Sequence, residues 1–232
     1  MAEPPSMTDA YDMRSLVNLL ANGETENAIH SLRSYLEKDP NNAAALIQLG
    51  ELLRHTPDII SGVDLLRRGL KIDPKNVIGW LSLASALKSL TQHEGAKAAF
   101  RQVLELDEQR VEALNDLGTI LMDEGDWSGA IALFQRASDL APDAQGIRVN
   151  LARALAQDGR TQEAIETAQS VLASGQNAAI EASQLILELT RPISANEMAG
   201  SLADPHYNVK SIGMDAPVSI ISTNPAQSAK TT

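Results

Sequence analysis

Four stretches decide the fold: AALIQLGELL from Ala44, VIGWLSLASAL from Val77, VEALNDLGTIL from Val111 and GIRVNLARAL from Gly146. Leu49, Leu83, Leu117 and Leu151 stand 34 residues apart, and so do Leu53, Leu87, Leu121 and Leu155. A small residue follows the first leucine each time: Gly50, Ala84, Gly118, Ala152. Further along, Ala28, Gly62, Ala96, Ala130 and Ala164 form one column, and Leu32, Leu66, Phe100, Phe134 and Ala168 another. A fixed period of this length marks stacked supersecondary units, each too small to bury its own apolar face alone.

Within a unit the apolar spacing is helical. Leu114, Leu117, Gly118 and Leu121 recur at i, i+3, i+4 and i+7, Gly125 interrupts, and Ala130, Leu133, Phe134 and Ala137 repeat the spacing before Pro142. Each unit therefore reads as two antiparallel helices, with small residues where their axes cross. The expected units are 9–42, 43–76, 77–110, 111–144 and 145–178, after a flexible 1–8. Residues 179–190, AIEASQLILELT, repeat the first-helix pattern and stop at Arg191-Pro192, as a capping helix would. Residues 191–232 are rich in Pro, Ser, Ala, Asn and Thr without periodicity, and disorder is expected there. One patch in it, Ala216-Pro217-Val218-Ser219-Ile220-Ile221, is β-branched and of the kind that adds to a partner's sheet edge.

The pattern resembles the tetratricopeptide repeat, W-x2-L-G-x2-Y, then A-x3-F, then P. Trp80, Leu83, Ala84, Leu87, Ala96 and Phe100 carry it in the third unit; Leu114, Leu117, Gly118, Leu121, Ala130, Phe134 and Pro142 carry it in the fourth. About 170 of the 232 residues are covered. The resemblance implies an all-α, right-handed solenoid of five helix pairs, a capping helix and a tail. Some departures stand out. The first unit opens atypically with Asp12, Ser15 and Leu16, and the third lacks its closing proline. In the second, Thr56-Pro57 replaces the inter-helix glycine, while Gly62 and Gly69 stand inside a helix, where each costs on the order of 1 kcal/mol relative to alanine. The second helix of that unit is therefore expected to be the most mobile.

Composition narrows the function. The 232-residue chain carries 19 Lys+Arg against 30 Asp+Glu, a formal charge of −11. That disfavours nucleic-acid backbone, which needs clustered cations. No cysteine is present, which removes thiol catalysis, disulfides and thiolate metal sites. No run approaches 18 apolar residues and the N-terminus has no apolar core, so neither a membrane span nor a Sec leader is expected, and a cytoplasmic location follows. His30, His55, His93 and His206 lack metal-ligand spacing, and no phosphate-loop, G-x-S-x-G or H-E-x-x-H motif occurs. Asp123-Glu124-Gly125-Asp126 lacks the frame of a calcium loop and reads as an inter-helix turn. Arg67-Arg68-Gly69-Leu70-Lys71, the one basic cluster, reads as a solvated face near a helix C-terminus. No enzyme, cofactor or metal is expected.

The resemblance further implies that the first helices line a concave groove through the second, fifth, sixth, ninth, twelfth and thirteenth places of each unit. Candidate partner-binding residues at those places are Ile47, Gln48, Glu51, Ile78, Leu81, Ser82, Lys88, Asn115, Asp116, Met122, Asn150 and Arg153. Ile47, Ile78 and Leu81 would form an apolar centre, flanked by amides able to pair with a peptide backbone. The basic clamp by which some family members hold the acidic C-terminus of heat-shock chaperones is not supplied: its places hold Met13, Val17, Gln48, Ile78 and Ser82, and shifting by a unit does not restore it. The expected function is a non-catalytic interaction module (adaptor, scaffold or assembly factor) binding a protein or peptide segment. The alternatives are an accessory subunit of an enzyme or of a secretion or assembly complex, and a self-assembling homo-oligomeric scaffold.

Overall fold

The structure, a computed structural model, describes residues 13–173 and 178–191. The flexible segment 1–8 and the disordered tail expected from the sequence lie outside the described residues, Arg191 apart. Among the described residues there are eleven helices and no strand: α1 (Met13–Ala21), α2 (Thr25–Lys38), α3 (Ala43–Leu53), α4 (Ile59–Ile72), α5 (Val77–Ser89), α6 (His93–Leu106), α7 (Val111–Asp123), α8 (Trp127–Leu140), α9 (Gln145–Gln157), α10 (Thr161–Ala173) and α11 (Ala179–Thr190).

Local chemistry recurs with the repeat. Asn42 and Asn76 cap α3 and α5 by accepting, through Oδ1, the amide protons of Ala45 (3.1 Å) and Gly79 (2.9 Å). The turn inside each pair reverses through a left-handed residue: Gly23 (φ 76°), Gly125 (φ 81°) and Gly159 (φ 81°), with Thr91 (φ 55°) at the same place in the third pair. Pro57 cannot adopt that conformation. There Thr56 takes over, its hydroxyl donating to the Leu53 carbonyl (2.8 Å) while accepting from the Asp58 amide (3.2 Å).

Helix crossings explain the small-residue columns. A Cβ on Gly50 would stand 2.6 Å from Leu66 Cγ and 2.8 Å from the Gly62 carbonyl oxygen; one on Gly118 would stand 2.9 Å from the Phe134 ring. Gly62 faces Gly50 and Leu53 in return, and Gly69 faces Ile47. The two glycines inside α4 are therefore the sites where α3 and α4 approach most closely, and both are buried. Phe100 and Phe134 fill the space beside the crossings and are fully buried. The core runs along the whole array, from Leu16, Leu32 and Leu49 at one end to Val149, Val171 and Leu185 at the other.

The closing proline is not what fixes the joint between units. Arg68 donates to the Pro40 carbonyl (2.9 Å), and Arg136, two units on, donates to the Glu108 carbonyl (3.1 Å), where no proline stands. At the far end Ile186 replaces the small residue of the crossing column. Its side chain is half-buried against the cluster of Val149, Val171 and Ala182, and Ala182 and Leu185 cover the apolar side of α9 and α10. Among the described residues α11 is the last helix of the stack.

Candidate functional site

Successive odd-numbered helices (α3, α5, α7, α9, α11) pack against one another, and the even-numbered ones pack chiefly on the odd ones. The odd row is thus the tight inner side of the solenoid and the even row the splayed outer side. A stack that curves this way presents a concave face made by the odd helices.

Polar side chains tie that inner row together across unit boundaries. Lys88 Nζ on α5 meets Asp116 Oδ1 on α7 at 2.9 Å, with the two side chains 31 % and 27 % exposed. Asn115 Nδ2 lies 3.5 Å from the same oxygen, and Asn150 Nδ2 on α9 donates to Asn115 Oδ1 at 3.1 Å. The Thr119 hydroxyl donates to the Asn115 carbonyl (2.9 Å). Arg153 on α9 then reaches Glu181 on α11 at 3.0 Å. Four of the expected site residues, Lys88, Asn115, Asp116 and Asn150, are therefore one connected chain, and Arg153 starts the next link. Sequence reasoning assigned these amides to a peptide backbone. Here Asn115 and Asn150 serve each other.

The apolar expectation needs correction at one position. Ile78 is 53 % exposed on the inner face and Leu81 is half-buried beside it. Ile47, however, is only 4 % exposed. Neither Gly69 nor Gly79 has a side chain, and Ile47 sinks into the gap they leave between α3, α4 and α5. It is part of the wall, not of its surface. Ser82, in the same inner row, is also 4 % exposed. Gln48 and Glu51 border a cavity of about 250 Å³ at the N-terminal end of the groove, between α1 and α3, lined also by Leu16, Leu20, Leu52, Arg54 and His55. Met122 is half-buried against the core of α7 to α10.

Charge in the groove is balanced. Its places from α3 to α11 carry Glu51, Glu112, Asp116 and Asp123 against Arg54, Lys88, Arg153 and Arg191. The chain as a whole is at −11, so the excess acid lies elsewhere. The Asp123–Asp126 turn uses its groups structurally: Glu124 pairs with Lys97 (2.7 Å) and Asp126 caps α8 through the Gly129 amide (2.9 Å). The basic cluster of α4 is divided. Arg68 holds Pro40, Gly69 and Leu70 are buried, and Arg67 and Lys71 border an outer cleft of about 380 Å³ between α4 and α6.

Comparison with known proteins agrees with this architecture. A tetratricopeptide repeat model matches residues 19–87 and 121–187, more than half of the chain, and a second tetratricopeptide repeat model matches 81–144. The chain belongs to the tetratricopeptide repeat family. No curated protein sequence matches it. Among solved structures it is similar to MamA from Desulfovibrio magneticus (20 % identity, 71 % of this chain and 94 % of that one, TM-score 0.65). A tetratricopeptide repeat protein from Parabacteroides merdae is similar too (18 % identity, 82 % and 73 % covered, TM-score 0.67), as is a thermophilic one from Thermus thermophilus (18 %, 75 % and 94 %, TM-score 0.55). At these identities the likeness is one of fold. Tetratricopeptide arrays in general are non-catalytic modules for protein–protein interaction. No described helix is long and apolar enough to cross a membrane.

Proposed function

We propose that this protein is an adaptor, scaffold or assembly factor that holds a segment of another protein along its inner face. The observation that carries the reading is the exposed Ile78 with half-buried Leu81 on α5, in the same inner row as the Lys88–Asp116–Asn115–Asn150 chain. An apolar patch rimmed by polar groups on a concave surface is the usual anatomy of a protein docking site. Balanced charge adds that the segment is recognised by shape, apolar anchoring and hydrogen bonding, and is itself near neutral. The contact set within this reading is Ile78, Leu81, Gln48, Glu51, Met122, Asn150 and Arg153, with Lys88, Asn115 and Asp116 shaping the floor. Ile47 and Ser82 act from beneath it.

The test is a crosslinking pull-down from native extract with wild type and Ile78→Glu/Leu81→Glu, both first shown by circular dichroism to keep their helix content. Ile78 is exposed, whereas Leu81 packs against the central core, so the circular dichroism check and the single Ile78→Glu variant separate lost binding from lost fold. A protein recovered with wild type and lost with the variant is expected. Equal recovery from both would move the interaction off the inner face.

A further inference from the structure

The two most exposed large apolar side chains among the described residues are on the last helix: Ile180 at 71 % and Leu187 at 70 %. Seven residues apart, they stand two turns apart on one face, roughly 10 Å from each other. They occupy the second and ninth places of the 34-residue register, the places of Ile78 and Arg153. Ala182 and Leu185 are buried against α9 and α10 and so set how α11 is turned, and Glu181, between Ile180 and Leu187 in sequence, meets Arg153 from α9. Ile180 and Leu187 therefore face the C-terminal end of the groove. Among the described residues α11 packs on α9 and α10 alone.

The described structure ends at Arg191, one turn beyond Leu187, with 41 residues of the chain still to follow. Those 41 residues contain five charged ones, Glu197, Asp204, Lys210, Asp215 and Lys230, and are close to neutral, as the groove is. Their most apolar run is Val218-Ser219-Ile220-Ile221. It lies 27 residues beyond Arg191. That length of chain spans up to about 90 Å when extended, whereas Ile180 lies only about 17 Å back along α11. A tether of this kind holds its end at an effective concentration on the order of millimolar. A contact with millimolar intrinsic affinity, far weaker than a typical protein interface, would already be about half occupied.

We propose that Val218–Ile221 of the same chain folds back onto the Ile180/Leu187 face of α11 and occupies the C-terminal end of the groove. Resting on the groove reading above, this makes the tail a competitor that an incoming partner segment displaces. The occupant is specified by what is attached at that end and by the lack of net charge on both sides.

The chain has no cysteine, so paired nitroxide labels can be placed cleanly at Ser219→Cys and Gln184→Cys in the full-length protein. Pulsed electron–electron distance measurement on the isolated chain is expected to show a component below about 20 Å. A free coil of this length would give a broad distribution centred near 30 Å. Ile180→Glu/Leu187→Glu, and separately Ile220→Glu/Ile221→Glu, should each abolish the short component; for both pairs circular dichroism first checks that the helix content is unchanged. A broad distribution insensitive to both pairs would overturn the proposal. So would a short component that vanishes on tenfold dilution with unlabelled chain, which would identify the occupant as a second copy. No partner is present in the measurement, so its outcome is separate from that of the pull-down.

Discussion

Thr91 offers the sharpest test of the repeat as a physical object. It holds φ 55° at a turn where the equivalent residues Gly23, Gly125 and Gly159 hold φ between 76° and 81°. A left-handed conformation costs an L-residue roughly 1–2 kcal/mol, and a β-branched one is at the unfavourable end. Glycine would remove that cost but regain freedom in the unfolded chain, a loss of roughly 0.4–1 kcal/mol. The Thr91 side chain contributes little in return: it is exposed, and its hydroxyl donates only to the adjacent Leu90 carbonyl (2.7 Å). Thr91→Gly should therefore stabilise the array by about 1 kcal/mol, or roughly 2–4 °C in Tm for a chain of this size. The reverse substitution is the control. A Cβ on Gly125 would meet only the Trp127 ring, at 3.8 Å, and one on Gly159 would meet nothing within 4 Å. Gly125→Thr and Gly159→Thr should each lose about 1 kcal/mol through backbone strain alone. Urea unfolding followed by circular dichroism measures all three. A destabilised Thr91→Gly, or neutral Gly→Thr variants, would refute the assignment of these columns to a shared backbone requirement.

Other consequences follow from the same geometry. Gly50→Ala gains up to about 1 kcal/mol in helix propensity but drives a methyl against Leu66 and the Gly62 carbonyl, and overpacking of that kind costs roughly 1–3 kcal/mol; Gly146→Ala meets nothing. Denaturant midpoints should fall for the first and stay level or rise for the second. Asn76→Ala removes the α5 cap and should cost about 1 kcal/mol by the same measurement. Lys97 bridges Glu94 and Glu124, both at 2.7 Å, tying α6 to the turn after α7. Hydrogen bonding to Lys97 holds the Glu94 carboxyl below the usual carboxylate range, and hydrogen bonds from the two carboxylates raise the Lys97 ammonium. The Glu94 contribution is present above the unfolded carboxylate pKa and lost as pH falls through its lowered folded value. The Lys97 contribution is present below the unfolded lysine pKa and lost as pH rises through its raised one. Thermal scans against pH should show wild type losing more stability at both extremes than Lys97→Met does.

What was legible in the sequence was whatever repeats. Leucines and small residues in 34-residue columns encode a helix pair, and the same columns encode which faces meet, so eleven helices and the inner row could be read before any contact was seen. Exposure at the groove places follows the register at its second and thirteenth places, where Ile78, Ile180 and Asp123 all face solvent. Contacts that occur once were less readable. The pairing of Asn115 with Asn150 needs two amides to choose each other over water, and neither residue type nor spacing announces that choice. Ile47 is the instructive miss. Its register place faces the groove, but the depth of a side chain depends on what stands behind it, and Gly69 on one neighbouring helix and Gly79 on the other leave room for a whole isoleucine. That signal was in the sequence, 22 and 32 residues downstream, but it belongs to a comparison between helices, not to the periodicity of one. At the equivalent place one unit on, Leu81 has Val103 and Ala113 34 residues after those glycines, and it remains half-buried. The side chains missing behind Ile47 thus set its depth. Restoring one should push Ile47 outward: Gly79→Ala, whose Cβ would stand 3.1 Å from Ile47 Cδ1 and 3.0 Å from Leu70 Cδ2, forces those side chains to shift. Methyl resonances of Ile47 and Leu70 should move on that substitution while those of Ile180 do not. Unmoved Ile47 methyls would mean that the two glycines are not what lets this side chain sink.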